Sequence, residues 1–87
     1  MKTVWKYMIP FHSDGKFELE YPILGQIVKI DMQDGVPWMW IFIDTDLEVE
    51  KRKFEIYGTG HSIEDGRFYR GTFFQNMFVW HVFEVFE

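Results

Sequence analysis

Apolar residues alternate with polar ones along most of this chain, and that alternation constrains the fold more than any other feature. In the segment 26–33, Val28, Ile30 and Met32 are predicted to share one face, with polar residues on the other. A side-chain period of two is the property of a β-strand. We therefore expect an all-β domain with at most a single helical turn around 61–65, and seven strands near 3–9, 17–21, 26–33, 37–44, 52–58, 67–75 and 78–86.

The turn signals predict how these strands connect. The pair Asp-Gly occurs at Asp14-Gly15, Asp34-Gly35 and Asp65-Gly66, each time between two predicted strands. This pair tolerates the positive φ of tight hairpin turns. The simplest topology is an antiparallel meander, which could form either a small sandwich or a barrel.

The chain must stabilise this fold without cross-links. Its 87 residues make a single domain, 1–87, and contain no cysteine. Small domains bury a limited share of their surface. Aromatic residues make up 21% of the chain, and each buried ring removes roughly 150–250 Å² from water. Large rings are therefore expected to supply the core, with apolar surface left over for a partner.

The formal net charge of −5 argues against direct binding to nucleic acid, which needs clustered lysine and arginine. The opening segment does not have the pattern of a signal peptide, and no apolar run approaches the roughly 20 residues of a membrane span. We expect a cytoplasmic protein without membrane contact.

Two predicted strands, 37–44 and 78–86, are apolar on both faces. Such a strand is either central in a sandwich or barrel, or it lies at a contact between subunits. The second alternative makes a homo-dimer or higher oligomer a hypothesis. It also marks a candidate protein interface at Phe78, Trp80, His81 and Phe83.

The segment "YGTGH" at 57–61 invites comparison with phosphate-binding loops. A dinucleotide loop needs a third glycine where Ile63 stands, and no Gly-Lys-Ser/Thr sequence is present. The glycines are better explained by chain reversal. The alternative is a binding site in which turn amides, basic groups and rings hold a ligand, with candidate residues Tyr57, Gly58, Thr59, Gly60, His61, Arg67, Arg70, Trp5 and Trp38.

The segment "DTDLEVE" carries four carboxylates, at Asp44, Asp46, Glu48 and Glu50. One interpretation is a charged strand edge that prevents sheet-to-sheet aggregation. The other is an acidic surface that contacts a partner protein. The basic residues that follow at 51–53 weaken the second interpretation.

The chain offers little for catalysis or metal binding. It lacks cysteine, its only serines are Ser13 and Ser62, and its three histidines do not have the spacing of a local metal site. We expect a protein that is not an enzyme and uses neither a cofactor nor a metal.

Five segments occur in a characteristic order: "TVWKY", "QDGVPWMW", "IYGTGH", "GTF" and "WHVFE". In this order the chain resembles a family of small, uncharacterised bacteriophage and prophage proteins with a Tyr-Gly-Thr-Gly-His turn and a C-terminal His-Val-Phe-Glu strand. It departs from that pattern at Ser62, where proline is expected, and at 75–77, which is shorter and less glycine-rich. The resemblance supplies no catalytic or ligand residues. It implies a phage gene product in the cytoplasm of an infected bacterium.

Three functional hypotheses follow. The leading one is a non-catalytic accessory protein that binds a host or phage protein, in its most specific form as a counter-defence factor. The second is a small-molecule binder, such as a sponge for a nucleotide signal, built on the glycine–histidine turn. The third is a minor virion component, which would be found in purified particles.

Overall fold

The computed structural model describes residues 1–86, which form seven antiparallel strands packed as two sheets. This confirms the all-β prediction and decides for a sandwich, because the sheets are not closed into a barrel. The described residues contain no helix that could cross a membrane. The strands are β1 (Lys2–Met8), β2 (Lys16–Pro22), β3 (Gln26–Gln33), β4 (Val36–Asp44), β5 (Val49–Gly58), β6 (Arg67–Gln75) and β7 (Phe78–Val85).

The strand order differs from that of a simple meander. The three-stranded sheet has the order β1-β4-β3, and the four-stranded sheet has the order β2-β5-β7-β6. Only β3–β4 and β6–β7 are hairpins between consecutive strands. The chain crosses between the sheets because each strand must bury one apolar face, which a single flat sheet cannot provide.

Of the three Asp-Gly pairs, only Asp34-Gly35 forms the predicted hairpin. Its φ angles of 53° and 77° are both positive, as a type I′ turn requires. The second hairpin uses Asn76, with a φ of 54°, between β6 and β7. Asparagine tolerates this left-handed conformation better than most residues.

The pair Asp14-Gly15 attaches the start of β2 to β5 and does not form a hairpin. The Gly15 carbonyl accepts a hydrogen bond of 2.7 Å from the Ile56 amide. A Cβ at Gly15 would lie 2.8 Å from the Ile56 carbonyl oxygen. Glycine is therefore required here by close backbone approach as well as by its φ of 72°.

The third pair, Asp65-Gly66, ends a crossing over the four-stranded sheet. Both β5 and β6 run antiparallel to β7, so they are parallel to each other. Gly58 lies opposite Trp80, whereas Arg67 lies opposite Val85, five residues along β7. Residues 59–66 must therefore travel back about 17 Å along the sheet. The predicted hairpin at this position is wrong, because β7 occupies the place between the two strands.

The core lies between the sheets. It is formed by the inward side chains of the central strands together with rings from β2 and β6. The fully or nearly fully buried apolar residues are Ile9, Phe17, Tyr21, Ile30, Met39, Ile41, Ile43, Phe54, Ile56, Phe73 and Val82. The two strands that are apolar on both faces, β4 and β7, are inner strands of their sheets. This agrees with the interpretation that such strands are central in a sandwich.

A β-bulge in β3 corrects one predicted face. The register to β4 shifts between Ile27 and Lys29, so Val28 points outward and is 57% exposed. Ile27 packs against the core in its place. Val28 therefore does not share a face with Ile30 and Met32, because the bulge adds one residue to the strand period.

One charged cluster is buried with the core. Glu84 on β7 is 1% exposed, and each of its carboxylate oxygens accepts a hydrogen bond from a different arginine. Arg52 on β5 donates to one oxygen, and Arg70, the extra residue of a bulge in β6, donates to the other at 2.9 Å. The cluster ties three neighbouring strands together. Burying the carboxylate requires both partners, because an unpaired interior charge is strongly unfavourable.

Tyr21 lies beside this cluster. The Arg52 guanidinium sits 5.2 Å from the centre of the Tyr21 ring. The Tyr21 hydroxyl is buried, and within residues 1–86 it has no hydrogen-bond partner. Burial raises the pKa of Tyr21 to about 12, because the phenolate is disfavoured away from water.

We predict that Glu84→Leu lowers the free energy of unfolding by about 3–5 kcal/mol, since it leaves two partly buried guanidinium groups without their carboxylate. Urea denaturation measures the change. Glu18→Gln is the matched control, because Glu18 forms only an exposed ion pair with Lys51 at 3.5 Å, worth at most about 1 kcal/mol. Replacing Arg52 and Arg70 by Met in the Glu84→Leu background should recover stability. Wild-type stability in Glu84→Leu would contradict the structural role of the cluster.

Tyr21→Phe is predicted to change how stability depends on alkaline pH. In the unfolded chain Tyr21 ionises near its ordinary pKa of about 10, whereas the folded protein keeps it neutral up to about 12. The free energy of unfolding should therefore fall by about 2–3 kcal/mol between these two pH values because of the ionisation of Tyr21. Tyr21→Phe should lack that loss and be at least as stable at pH 7, because it removes an unpartnered hydroxyl. Parallel pH profiles of the two proteins would refute this.

Candidate functional site

The outer face of the three-stranded sheet carries a broad apolar surface. On β4, Trp38, Trp40 and Phe42 alternate with side chains that are buried in the core. Because successive side chains of a strand point to opposite faces, these three rings must point away from the interior. The sequence shows this as a strand that is apolar on both faces.

Neighbouring strands extend this surface. On β1, Val4 lies opposite Phe42 and Met8 lies opposite Trp38. Val28 lies on β3. Val4, Met8, Val28 and Phe42 are 48%, 52%, 57% and 38% exposed. We call Val4, Met8, Val28, Trp38, Trp40 and Phe42 the tryptophan face. Val4 and Val28 border a shallow groove of about 570 Å³ that Trp40 also lines.

Polar side chains lie over and beside the tryptophan face. Lys6 stands opposite Trp40, and its side chain crosses the face. The Lys6 ammonium lies 4.1 Å from the centre of the Trp38 ring, and it also donates to the side-chain oxygen of Gln33. On β3, Lys29 pairs with Asp31 at 3.5 Å.

The outer face of the four-stranded sheet is different, because its rings are interleaved with hydrogen-bonding groups. Phe83 packs edge-on against Tyr57 at 5.7 Å and against Tyr69 at 5.6 Å. The outward side chains that form this tyrosine face are Glu55, Tyr57, Arg67, Tyr69, Thr72, His81 and Phe83.

An ion pair organises one half of the tyrosine face. Arg67 donates two hydrogen bonds to the Glu55 carboxylate, at 2.8 Å and 3.0 Å, and the Tyr57 hydroxyl donates to the same carboxylate. The bond from Arg67 is the main reason that the pKa of Glu55 is lowered. Burial, followed by the bond to Glu55, raises the pKa of Tyr57. These groups satisfy one another and hold the end of the crossing loop.

A hydrogen-bonded chain organises the other half. The Tyr69 and Thr72 hydroxyls lie 2.6 Å apart, and Thr72 lies 3.1 Å from Nδ1 of His81. Nε2 of His81 lies 2.8 Å from the Thr59 hydroxyl. Both nitrogens of His81 therefore have hydroxyl partners. This bonding orients the ring and links β7 to β6 and to the loop after β5.

The glycine–histidine segment forms a tight turn. The His61 amide donates to the Gly58 carbonyl at 3.1 Å, and Gly60 has a φ of 88°, as the third residue of a type II turn requires. The Gly58 amide donates to Nδ1 of His61 at 3.2 Å. Two of the amides that an anion would need are therefore engaged within the turn.

The structure gathers only part of the predicted ligand set. Tyr57, Thr59 and Arg67 lie together on or beside the tyrosine face. Arg70 is bonded to Glu84 on the inner side, and Trp38 belongs to the other sheet. Trp5 also belongs to the other sheet, on its inner side, since it lies opposite the buried Ile41. Sequence reasoning could not separate these positions, because it did not establish which sheet each strand joins.

The predicted interface on β7 divides between two faces. His81 and Phe83 point outward, whereas Trp80 points inward and packs at 5.0 Å against Phe11. Phe78 stacks on Trp80 at 5.8 Å and is 53% exposed. The four residues therefore do not form one surface.

The acidic segment is largely occupied by local contacts. The terminal ammonium of Met1 lies 2.8 Å from the Asp46 carboxylate and 3.4 Å from that of Asp44. The pKa of Asp44 is lowered, mainly by a hydrogen bond from the Asp46 amide. Glu50 lies 3.4 Å from Arg52, and Glu48 is exposed. Within residues 1–86, no group of three or more metal-binding side chains is close enough to hold an ion.

Sequence analysis missed the residues that organise these surfaces. Glu55, Tyr69, Thr72 and Glu84 were not singled out, because most of their partners come from other strands. The exposed face of β4 could have been identified, since three rings alternate there with Met39, Ile41 and Ile43.

Comparison with known proteins places the chain in a family. No curated protein and no solved structure matches it. A family described as a domain of unknown function, DUF7352, matches residues 1–87. The match spans the whole sequence, so the chain belongs to the DUF7352 family.

Proposed function

We propose that this chain is a non-catalytic binding protein that contacts a protein partner through the tryptophan face. One observation carries the proposal: a small domain leaves Val4, Met8, Val28 and Phe42 substantially exposed around two tryptophans on one sheet. Contiguous exposed apolar surface of this kind marks interaction sites on soluble domains. Tryptophan is also among the residues most enriched in the energetic centres of interfaces.

The other candidate surfaces support this role less well. The acidic segment is partly neutralised by Met1 and Arg52. The polar groups of the tyrosine face are already paired with one another, so a partner would have to break those bonds. The tryptophan face offers apolar area that a partner can cover by displacing one such bond, between Lys6 and Gln33.

The arrangement of titratable groups supports a binding role over a catalytic one. Glu84 is shared by two arginines, Glu55 is held by Arg67, and His81 lies between two hydroxyls. Each of these groups stabilises the fold through its contacts. A general acid or base needs instead to be free to exchange a proton with a substrate.

The biological setting of the proposal comes from the sequence. The segments "YGTGH" and "WHVFE" resemble phage and prophage proteins. We therefore place the chain in the cytoplasm of an infected bacterium, where it binds a host or phage protein, with counter-defence as the most specific form of that role.

The test is a quantitative pull-down from lysate of infected cells at physiological salt. Val28→Glu puts a charge on the β3 side of the tryptophan face, beside Trp40, and we expect at least a ten-fold drop in recovered partner, about 1.4 kcal/mol. Phe74→Glu is the matched control, because Phe74 is 67% exposed on the other sheet. Thermal melting shows that both variants are folded. Equal recovery with both variants, or no partner with the wild type, would contradict the proposal.

A second candidate function is binding of an anionic small molecule such as a nucleotide. A cleft of about 600 Å³ is lined by His12, Lys16, Lys53 and Arg67, with Glu18 and Glu55 as its acidic groups. A concentration of basic side chains in one cleft of an otherwise acidic chain favours an anion.

If this second function is right, nucleotides should raise the melting temperature of the wild-type protein, and Lys16→Ala should reduce that rise. Lys29→Ala is a control on the opposite sheet. An unchanged melting temperature across a nucleotide panel would eliminate this candidate.

A further inference from the structure

The strand β1 forms an edge of the three-stranded sheet that lacks the usual protection. Its seven residues pair with β4 in unbroken register. The other edge strands each carry a feature that hinders further pairing: β3 and β6 contain bulges, and β2 ends in Pro22. Bulges and prolines are ways in which natural sheets block edge pairing. Of the four edges described, β1 is the one best prepared to accept another strand.

Exposed apolar side chains lie on both faces of β1. Trp5 lies opposite Ile41, which is completely buried, so Trp5 belongs to the inner face. It is nevertheless 46% exposed, because the four-stranded sheet does not fully cover the three-stranded sheet at this edge. Val4 and Met8 are exposed on the outer face.

Lys6, the lysine near the middle of β1, does not block its free edge. The Lys6 side chain crosses β4 to reach Gln33 on β3, passing over Trp38. Its charge therefore lies away from the unpaired side of the strand. Lys2 lies opposite Asp44 on β4. A lysine protects an edge only when its charge would face an incoming strand.

We propose that a second copy of this chain pairs antiparallel along β1, about a two-fold axis at Trp5. In this register Trp5 faces the second copy's Trp5, and Thr3 faces its Tyr7. On the outer face, Val4 faces Lys6 and Lys2 faces Met8. The self-complementary contact is of the isologous kind that closes after two copies.

The exposed ring of Trp5 selects this register from its two neighbours. A shift by one residue turns the inner face outward, so alternative registers differ by two and move the axis by one residue. An axis at Val4 would set Trp5 against Thr3, and an axis at Lys6 would set Trp5 against Tyr7. Of these three registers, the axis at Trp5 is the one that covers each exposed indole with the indole of the other copy.

The resulting dimer has one six-stranded sheet. Its outer side would join the two tryptophan faces across the axis, because Val4 and Met8 border the new strand pair. The inference rests on the edge geometry of β1 and does not depend on the proposed partner.

Disulfide trapping tests the register directly, because the native chain has no cysteine. Facing residues in antiparallel strands have Cα atoms about 4.5–5.5 Å apart, within disulfide range. With oxidised glutathione as oxidant, Trp5→Cys should form cross-linked dimers at least ten-fold faster than the control Phe74→Cys. A mixture of Val4→Cys and Lys6→Cys should cross-link faster than either variant alone.

Trp5→Cys itself removes part of the contact between the two copies. Light scattering on proteins without cysteine therefore provides the second measurement. The wild-type protein at 100 μM should have the mass of a dimer, and Trp5→Glu should be monomeric with an intact melting transition. Phe74→Glu should remain dimeric. A monomeric wild type, or equal cross-linking at positions 5 and 74, would overturn the proposal. A dimer that still captures no protein partner would refute only the proposed function.

Discussion

The structure depends on how much apolar surface two small sheets can bury against each other. Two packed sheets have four faces, and only the inner pair forms a core. In this chain β4 supplies Met39, Ile41 and Ile43 to that core and turns its tryptophans outward. With no cysteine to add a cross-link, stability must come from ring and aliphatic packing. The same composition therefore produces both the core and the exposed tryptophan face.

The interior charge cluster complements this packing. Glu84 lies on β7, one of the two inner strands of the four-stranded sheet, and is bonded by arginines from the strands on either side. Apolar packing is tolerant of small shifts between strands, whereas a buried carboxylate with two directional partners is not. The cluster therefore favours one register among β5, β7 and β6. On the outer side of the same sheet, Arg67 and Glu55 restrain the loop that crosses from β5 to β6.

The two proposed contacts lie on one side of the molecule. The edge of β1 and the tryptophan face share Val4 and Met8, so pairing along β1 would enlarge the apolar surface offered to a partner. Dimerisation and partner binding would then act together: two adjacent faces bind a symmetric or repeated target more tightly than one face can. The four-stranded sheet, whose outer polar groups are paired with one another, packs against the inner face of the three-stranded sheet.

The sequence by itself determined the strands, because apolar alternation is a local property. It also determined the hairpin at Asp34-Gly35, where positive φ is needed at both residues. Only the tertiary structure decided which sheet each strand joins, that Asp65-Gly66 ends a crossing loop, and that the bulge turns Val28 outward. The candidate ligand residues divided between the sheets for the same reason. Contacts between distant strands depend on how all the apolar faces are covered together, and no local pattern encodes that arrangement.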